Sequence, residues 1–371
     1  MRKIRSKKLG RQKQLVILSS FLLLTFFSVG YAAFSTTITL NAKGNVHPAP
    51  TYTVEQLKAT ALTEGTTDGL YVDSAEQGRY VFKGANPNNY LTINNETWRI
   101  VSIESDNSLK IVREESIGNI PFDPGRATVI AGITEAGSDI GTRFSALDTD
   151  FCYYSNNGCK VWGSKDTVRN SSGVLLKDVS GDGSAKMQRI LTNSTTYDLP
   201  NDEAYLNIYL NGGTYAGVTV AGWYDTWSQD ISVDTKDKIL ANHLWNIGLV
   251  SKTTLQLENI IQEENAYKWQ GTVGLMAVSD YIRASNSVIC TDEGDPAQRW
   301  LCDSNYLQLA GNYWTITPDY YNSSAVWASN SNNLRYSLYP RNTFGVRPVL
   351  YLSSDVQLKG EGTSGSKFQI K

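Results

Sequence analysis

Histidine is nearly absent from this 371-residue chain, which holds two, His47 and His243. Histidine-based nucleophilic catalysis and imidazole-rich metal sites therefore have little material to work with. No G-x-S-x-G elbow, no H-E-x-x-H pair and no phosphate-binding glycine loop occurs in the sequence. An enzyme reading would rest on carboxylates alone, as in a glycoside hydrolase built on two Asp or Glu, and no such pair stands out. Charged residues make up only 19% of the chain, whereas 21 Tyr and 9 Trp describe an aromatic, hydrogen-bonding protein. Such side chains offer an apolar face and a polar tip with few rotors to freeze, which suits binding of neutral polar ligands; any single ring is equally explained as core.

Acidic residues are missing from the first 50 positions, which carry eight Lys or Arg. The basic cluster from Arg2 to Lys13 runs into the apolar stretch Leu15–Val29, followed by Gly30-Tyr31-Ala32-Ala33. That order reads as a signal peptide over residues 1–33, with cleavage after Ala32 or Ala33. The alternative is an uncleaved N-terminal anchor, because the apolar run extends to Phe34, about the 20 residues that cross a bilayer. Membrane contact is expected only through residues 15–34, if uncleaved, and the protein is expected to be secreted or at the cell surface. Beyond Ala32 the chain has 27 basic against 36 acidic residues. An acidic body without a basic block gives no footprint for nucleic acid.

The four cysteines fall as two local pairs, Cys152 with Cys159 and Cys290 with Cys302. In an exported chain these read as disulfide-stapled loops, although four cysteines permit three connectivities. Closing the loop between Cys290 and Cys302 would contribute on the order of 3 kcal/mol in the chain-entropy model. The wide spacings do not match the close pairs of zinc modules. Asp292–Asp295 and Asp178–Asp182 offer oxygen ligands for calcium without the EF-hand pattern; solvated acidic loops are the favoured explanation of both. No cofactor is expected.

Residues 34–69 read as a tether and residues 70–371 as a single elaborated extracellular domain, with a loop and helix insertion at about 120–270. Arg79–Lys83, Tyr90–Ile93, Glu96–Ile103 and Ser108–Arg113 predict an antiparallel meander, with Asn94-Asn95 as a turn. Helices are predicted through Leu210, from Asp234 through Ile247, and over about Thr254–Tyr267. A short strand is expected over Gly271–Met276, then a short helix over Val278–Ala284. The fold class is α+β: an antiparallel sheet with short helices and long loops.

The last hundred residues carry Gly311-Asn-Tyr-Trp-Thr-Ile-Thr-Pro318 and Phe344-Gly-Val-Arg-Pro-Val-Leu-Tyr-Leu352. Together with Asn94–Val101, Cys159–Gly163, Lys268–Met276 and Ser279–Ile282, these strings resemble a family of uncharacterised extracellular proteins of Firmicutes and related gut bacteria. The resemblance spans nearly the whole body and carries no established activity. The family's C-terminal layout is similar to the C-type-lectin-like fold in the variant shared with formylglycine-generating enzymes. It implies that strands at 79–113 pair with strands near 345–358. No cysteine follows Cys302, a departure that argues against the enzyme's oxidase chemistry. On this layout the loops between Trp314 and Tyr339 form an exposed face, with Tyr320, Tyr321, Trp327, Arg335, Tyr336 and Tyr339 as binding candidates; Tyr313 and Trp314 flank it, the latter as core. Arg347, in an apolar strand, is expected to bond carboxylate or backbone oxygens and pin the strand. The function expected is an adhesin or glycan-binding module, with glycans or host or envelope surface proteins as partners. The alternative is a structural envelope or matrix component.

Overall fold

The computed structural model describes residues 48–124, 160–179, 203–215, 218–287, 302, 304–320, 325–330 and 333–371. The chain separates into two compact units, Met1–Pro48 and Ala49–Lys371. The first, with the stretch read as an export signal, lies outside the described residues except for Pro48. Among the described residues no helix is long and apolar enough to cross a membrane.

The second unit is α+β, rich in antiparallel strands, with few and short helices. It opens with β1 (Thr51–Thr53) and α1 (Val54–Lys58). Thr53 caps α1 reciprocally: its hydroxyl accepts from the Gln56 amide, and the Gln56 side chain accepts from the Thr53 amide. Antiparallel strands follow, β2 (Gly69–Val72), β3 (Tyr80–Lys83), β4 (Tyr90–Ile93), β5 (Glu96–Ile103) and β6 (Leu109–Arg113); β4-β5-β6 form a meander, whereas β3, expected in it, pairs with β5 and not with β4. The β4–β5 reversal places Asn94 at φ 50° and Asn95 at φ 59°. Two left-handed residues match the twist of the flanking strands, and Asn tolerates that region.

Next come β7 (Asn119–Pro121), β8 (Arg169–Asn170), α2 (Tyr205–Asn211), and the paired β9 (Gly213–Tyr215) and β10 (Val218–Val220). Helices α3 (Trp223–Trp227) and α4 (Val233–Lys238) lead to β11 (His243–Asn246). Then follow α5 (Leu257–Asn265), β12 (Tyr267–Gly271) and α6 (Val278–Arg283). The final part contains β13 (Asn312–Pro318), β14 (Val326–Asn330), β15 (Asn333–Leu338) and β16 (Thr343–Gly345). It closes with β17 (Val349–Leu352), β18 (Gln357–Lys359) and β19 (Phe368–Ile370).

The first sheet runs β1-β18-β19-β4-β5-β3-β2, with β6 branching from β5 and β17 paired on β6. Early strands therefore pair with late ones: β17 lies antiparallel to β6, and β19 parallel to β4. A second sheet runs β11-β12-β8 and a third β15-β14-β13-β16-β7. Edge-to-face rings bridge these two, Trp269 of β12 on Trp162 at 6.0 Å, Trp162 on Phe122 at 5.6 Å, and Phe122 on Trp314 of β13 at 5.8 Å. Such pairs add to the burial of their area.

Three expectations are corrected. The helix predicted from Asp234 through Ile247 ends at Lys238; Asn242, at φ 60°, reverses the chain, and β11 then buries Trp245 while exposing Leu244. The strand predicted at Gly271–Met276 lies earlier, at β12, and the later residues touch the first sheet through the Gly274–Val349 bridge. The tether predicted to run to residue 69 stops short, because β1 pairs with β18 and α1 buries Val54 and Leu57 in the core.

Candidate binding surface

The third sheet builds the candidate surface. Its register aligns Pro318, Val326 and Leu338 in one row across β13, β14 and β15. Tyr320 lies two residues beyond this row and Tyr339 one residue beyond it, so both emerge at the same end of the ladder. Each is 41% exposed, and they are two of the few large apolar side chains in the described residues that face solvent. With β14 between their strands, the two backbones are about 10 Å apart. The Arg341 guanidinium sits 5.6 Å from the centre of the Tyr339 ring. Tyr320 is held in place through its backbone, whose amide donates to the Val250 carbonyl at 3.1 Å.

The other candidates part company with this end. Trp327 is fully buried, and its indole donates to the Val250 carbonyl at 3.0 Å. It is a core residue and not a contact, because β14 is an inner strand, between β15 and β13, and the ring is turned toward the Val250 backbone. Residues 326–330 and 333–338, expected as loops, are the antiparallel strands β14 and β15, in which Ser329 pairs with Leu334 and Asn330 with Asn333. Arg335 is exposed but lies opposite Ala328, further along the ladder. Of Tyr336 the backbone alone is described, within β15. Tyr321 lies outside the described residues, as do Cys152, Cys159, Cys290, His47 and Asp292–Asp295. Cys302 is fully buried and disulfide-bonded, its partner lying outside the described residues. Trp314 is core, its indole donating to the Ile120 carbonyl at 2.9 Å. Half-buried Tyr313 donates to the Ala310 carbonyl.

Arg347 pins the strands as its place in the sequence suggested. It is buried and donates to the carbonyls of Arg113 and Leu307, each at 2.9 Å, with Glu114 3.7 Å from its remaining nitrogen. Buried Arg99 approaches the same carboxylate at 3.3 Å and lies 3.6 Å from the centre of the Tyr90 ring.

Sequence reasoning missed a buried ionic cluster that fastens α6 to the first sheet. Arg79 bonds Glu104 at 2.9 Å, Asp73 at 3.0 Å and Asp280 at 3.2 Å, and the Lys110 ammonium reaches Asp280 at 2.5 Å. Arg283 joins Asp73 at 3.4 Å and Glu76 at 2.6 Å. Burial disfavours every charge here, yet mutual attraction prevails. It holds the Arg79 pKa well above its ordinary value despite desolvation, and it holds Glu104 and Asp280 below theirs against the same penalty. Glu264, buried beside Asp280 and accepting from Ser279, is pushed up by desolvation. Cluster members 201 and 170 residues apart in sequence offered no local signal.

His243 stacks on Tyr351 at 3.6 Å, and burial lowers it to about 4, so it is a neutral packing residue near neutrality. Buried Lys160 donates to the Asp319 carbonyl at 2.8 Å, and desolvation lowers it to about 7. Among the described residues no group of three or more His, Cys, Asp or Glu is placed to hold a metal ion.

No protein-family model, curated protein or solved structure matches this chain.

Proposed function

We propose that the chain is an extracellular bacterial binding protein, adhesin-like, that takes glycans at the tyrosine end of the third sheet. The observation that carries this reading is the pair of exposed rings, Tyr320 and Tyr339, aligned by one strand register and accompanied by Arg341. Rings held just beyond strand ends lose little freedom when a sugar face packs on them, and the phenol oxygens and guanidinium supply hydrogen bonds. The basic-then-apolar order of residues 2–29 and the acidic remainder support export. The resemblance in the last hundred residues supports a C-type-lectin-like arrangement, with loops stapled as Cys152–Cys159 and Cys290–Cys302. Host or envelope surface proteins that carry glycans are the matching partners.

The test is a glycan-array screen of the full-length oxidised chain, with and without calcium, beside a size-exclusion profile of the same sample. A reproducible hit by the monomer supports the reading. Concentration-dependent assembly with no hit on the array overturns it in favour of a structural envelope component.

A further inference from the structure

A second site lies in the first sheet. In strand order β1 and β2 stand at opposite ends of the main path, yet one cleft of about 290 Å³ touches both. The sheet curls far enough for its ends to converge, and the cleft occupies the mouth between them, a common place for ligands. Tyr52 of β1, Phe82 of β3 and Phe368 of β19 line it, and exposed Leu62 sits at its edge. The Tyr52 and Phe368 rings meet at 84° with centroids 6.1 Å apart, forming a corner and not a flat platform.

The polar lining is of one sign. The carboxylates of Asp68 and Glu361 are present and no Lys or Arg is. Asp68 is fixed by the amides of Ala85 and Asn86, at 3.2 and 2.7 Å, and by the Asn286 side chain at 3.1 Å. Glu361 is exposed and makes no ion pair among the described residues. An anion would be repelled here. A cation wrapped in carbon meets the half-buried Tyr52 ring, the exposed Leu62 side chain and two carboxylates at once, while Phe82 and Phe368 back the cleft from the core.

We propose that this cleft binds a methylated or quaternary ammonium group borne on a small ligand. The site stands apart from the tyrosine end, and the proposal does not depend on that reading. Its test is calorimetric titration of the full-length chain with choline and with the neutral isostere in which a quaternary carbon replaces the nitrogen. Choline is expected to saturate one site, the isostere to bind roughly tenfold more weakly or not at all, and Tyr52→Leu to weaken choline by roughly tenfold. Glu361→Gln, at an exposed position that leaves the core untouched, is expected to weaken choline by about threefold, and Tyr320→Ala to leave it unchanged. Equal binding of the two probes, no saturation by choline in the millimolar range, or a Glu361→Gln variant with unaltered affinity would each overturn the proposal.

Discussion

Replacing Asp280 by Asn tests whether the buried ionic cluster holds the domain together. The carboxylate is 2% exposed, and it faces the Lys110 ammonium at 2.5 Å and Arg79 at 3.2 Å. The amide fills the same space and can still accept from the Ala277 amide that Asp280 caps at 2.9 Å. What changes is the charge. Lys110 loses the one ion-pair partner it has among the described residues while remaining buried, and Arg79 keeps Asp73 and Glu104. Removing one member of a buried pair costs about 3–5 kcal/mol, because the uncompensated charge stays desolvated. With an m-value of about 3 kcal/mol per M, the urea midpoint should fall by ~1–1.7 M. Tryptophan fluorescence and far-ultraviolet dichroism, followed together, check that unfolding is a single transition. Adding Lys110→Met should restore part of the loss, since it removes the stranded ammonium. A loss below about 1 kcal/mol, or no recovery in the double variant, would refute the claim that the cluster is dry and mutually dependent.

The same cluster fixes an acid response. Asp280 and Glu104 have folded pKa values below their ordinary ones, so their stabilisation is complete above the unfolded values near about 4 and is lost as pH falls through the folded values. Glu264, raised by burial, acts in the opposite sense, yet the net expectation is a fall in denaturation midpoint below about pH 4, shallower in Asp280→Asn. Trp327→Ala should destabilise by about 3–5 kcal/mol, whereas Tyr339→Ala should leave the melting temperature unchanged, a contrast that calorimetry reads directly. Gly248→Ala should be severely destabilising, because a Cβ there would lie 2.0 Å from the backbone oxygen of Glu263, which cannot swing aside as a side chain can. Asn94→Ala, at φ 50°, should cost about 1 kcal/mol in chemical denaturation, and Asn95→Gly should cost nothing.

What could be read from the sequence followed the range of the physics. Strand β3 forms where strand character predicts it but pairs with β5 and not with β4, a partner its own sequence does not encode, whereas the meander β4-β5-β6 is encoded locally by alternation and by the Asn-Asn reversal. Helix α6 was visible for the same reason. His243, Leu244 and Ile247 satisfy helical spacing, but Asn242 takes a left-handed conformation and Trp245 pairs across β12 with Trp269, a tertiary choice that spacing does not encode. Trp327 looked exposed because Asn and Ser surround it. Ser329 and Asn330 lie on β14 and Asn333 on β15, and Val250, whose carbonyl receives the Trp327 indole, is 77 residues away in sequence. Tyr320 and Tyr339 were legible as polar-loop aromatics, whereas their alignment depends on the β13-β14-β15 register. Arg341, two residues after Tyr339, could have been added on sequence proximity alone. The cleft between the two ends of the first sheet has no sequence signature, since its walls come from residues 52 to 368 and meet only once the sheet curls.

The most direct test of the proposed function is a glycan-array profile of the full-length chain beside its Tyr320→Ala/Tyr339→Ala double variant, with melting temperatures measured on both samples. The account predicts a defined set of glycan signals that the variant loses while its melting temperature stays the same. Identical profiles from the two proteins, or no signal from the unaltered chain, would contradict it.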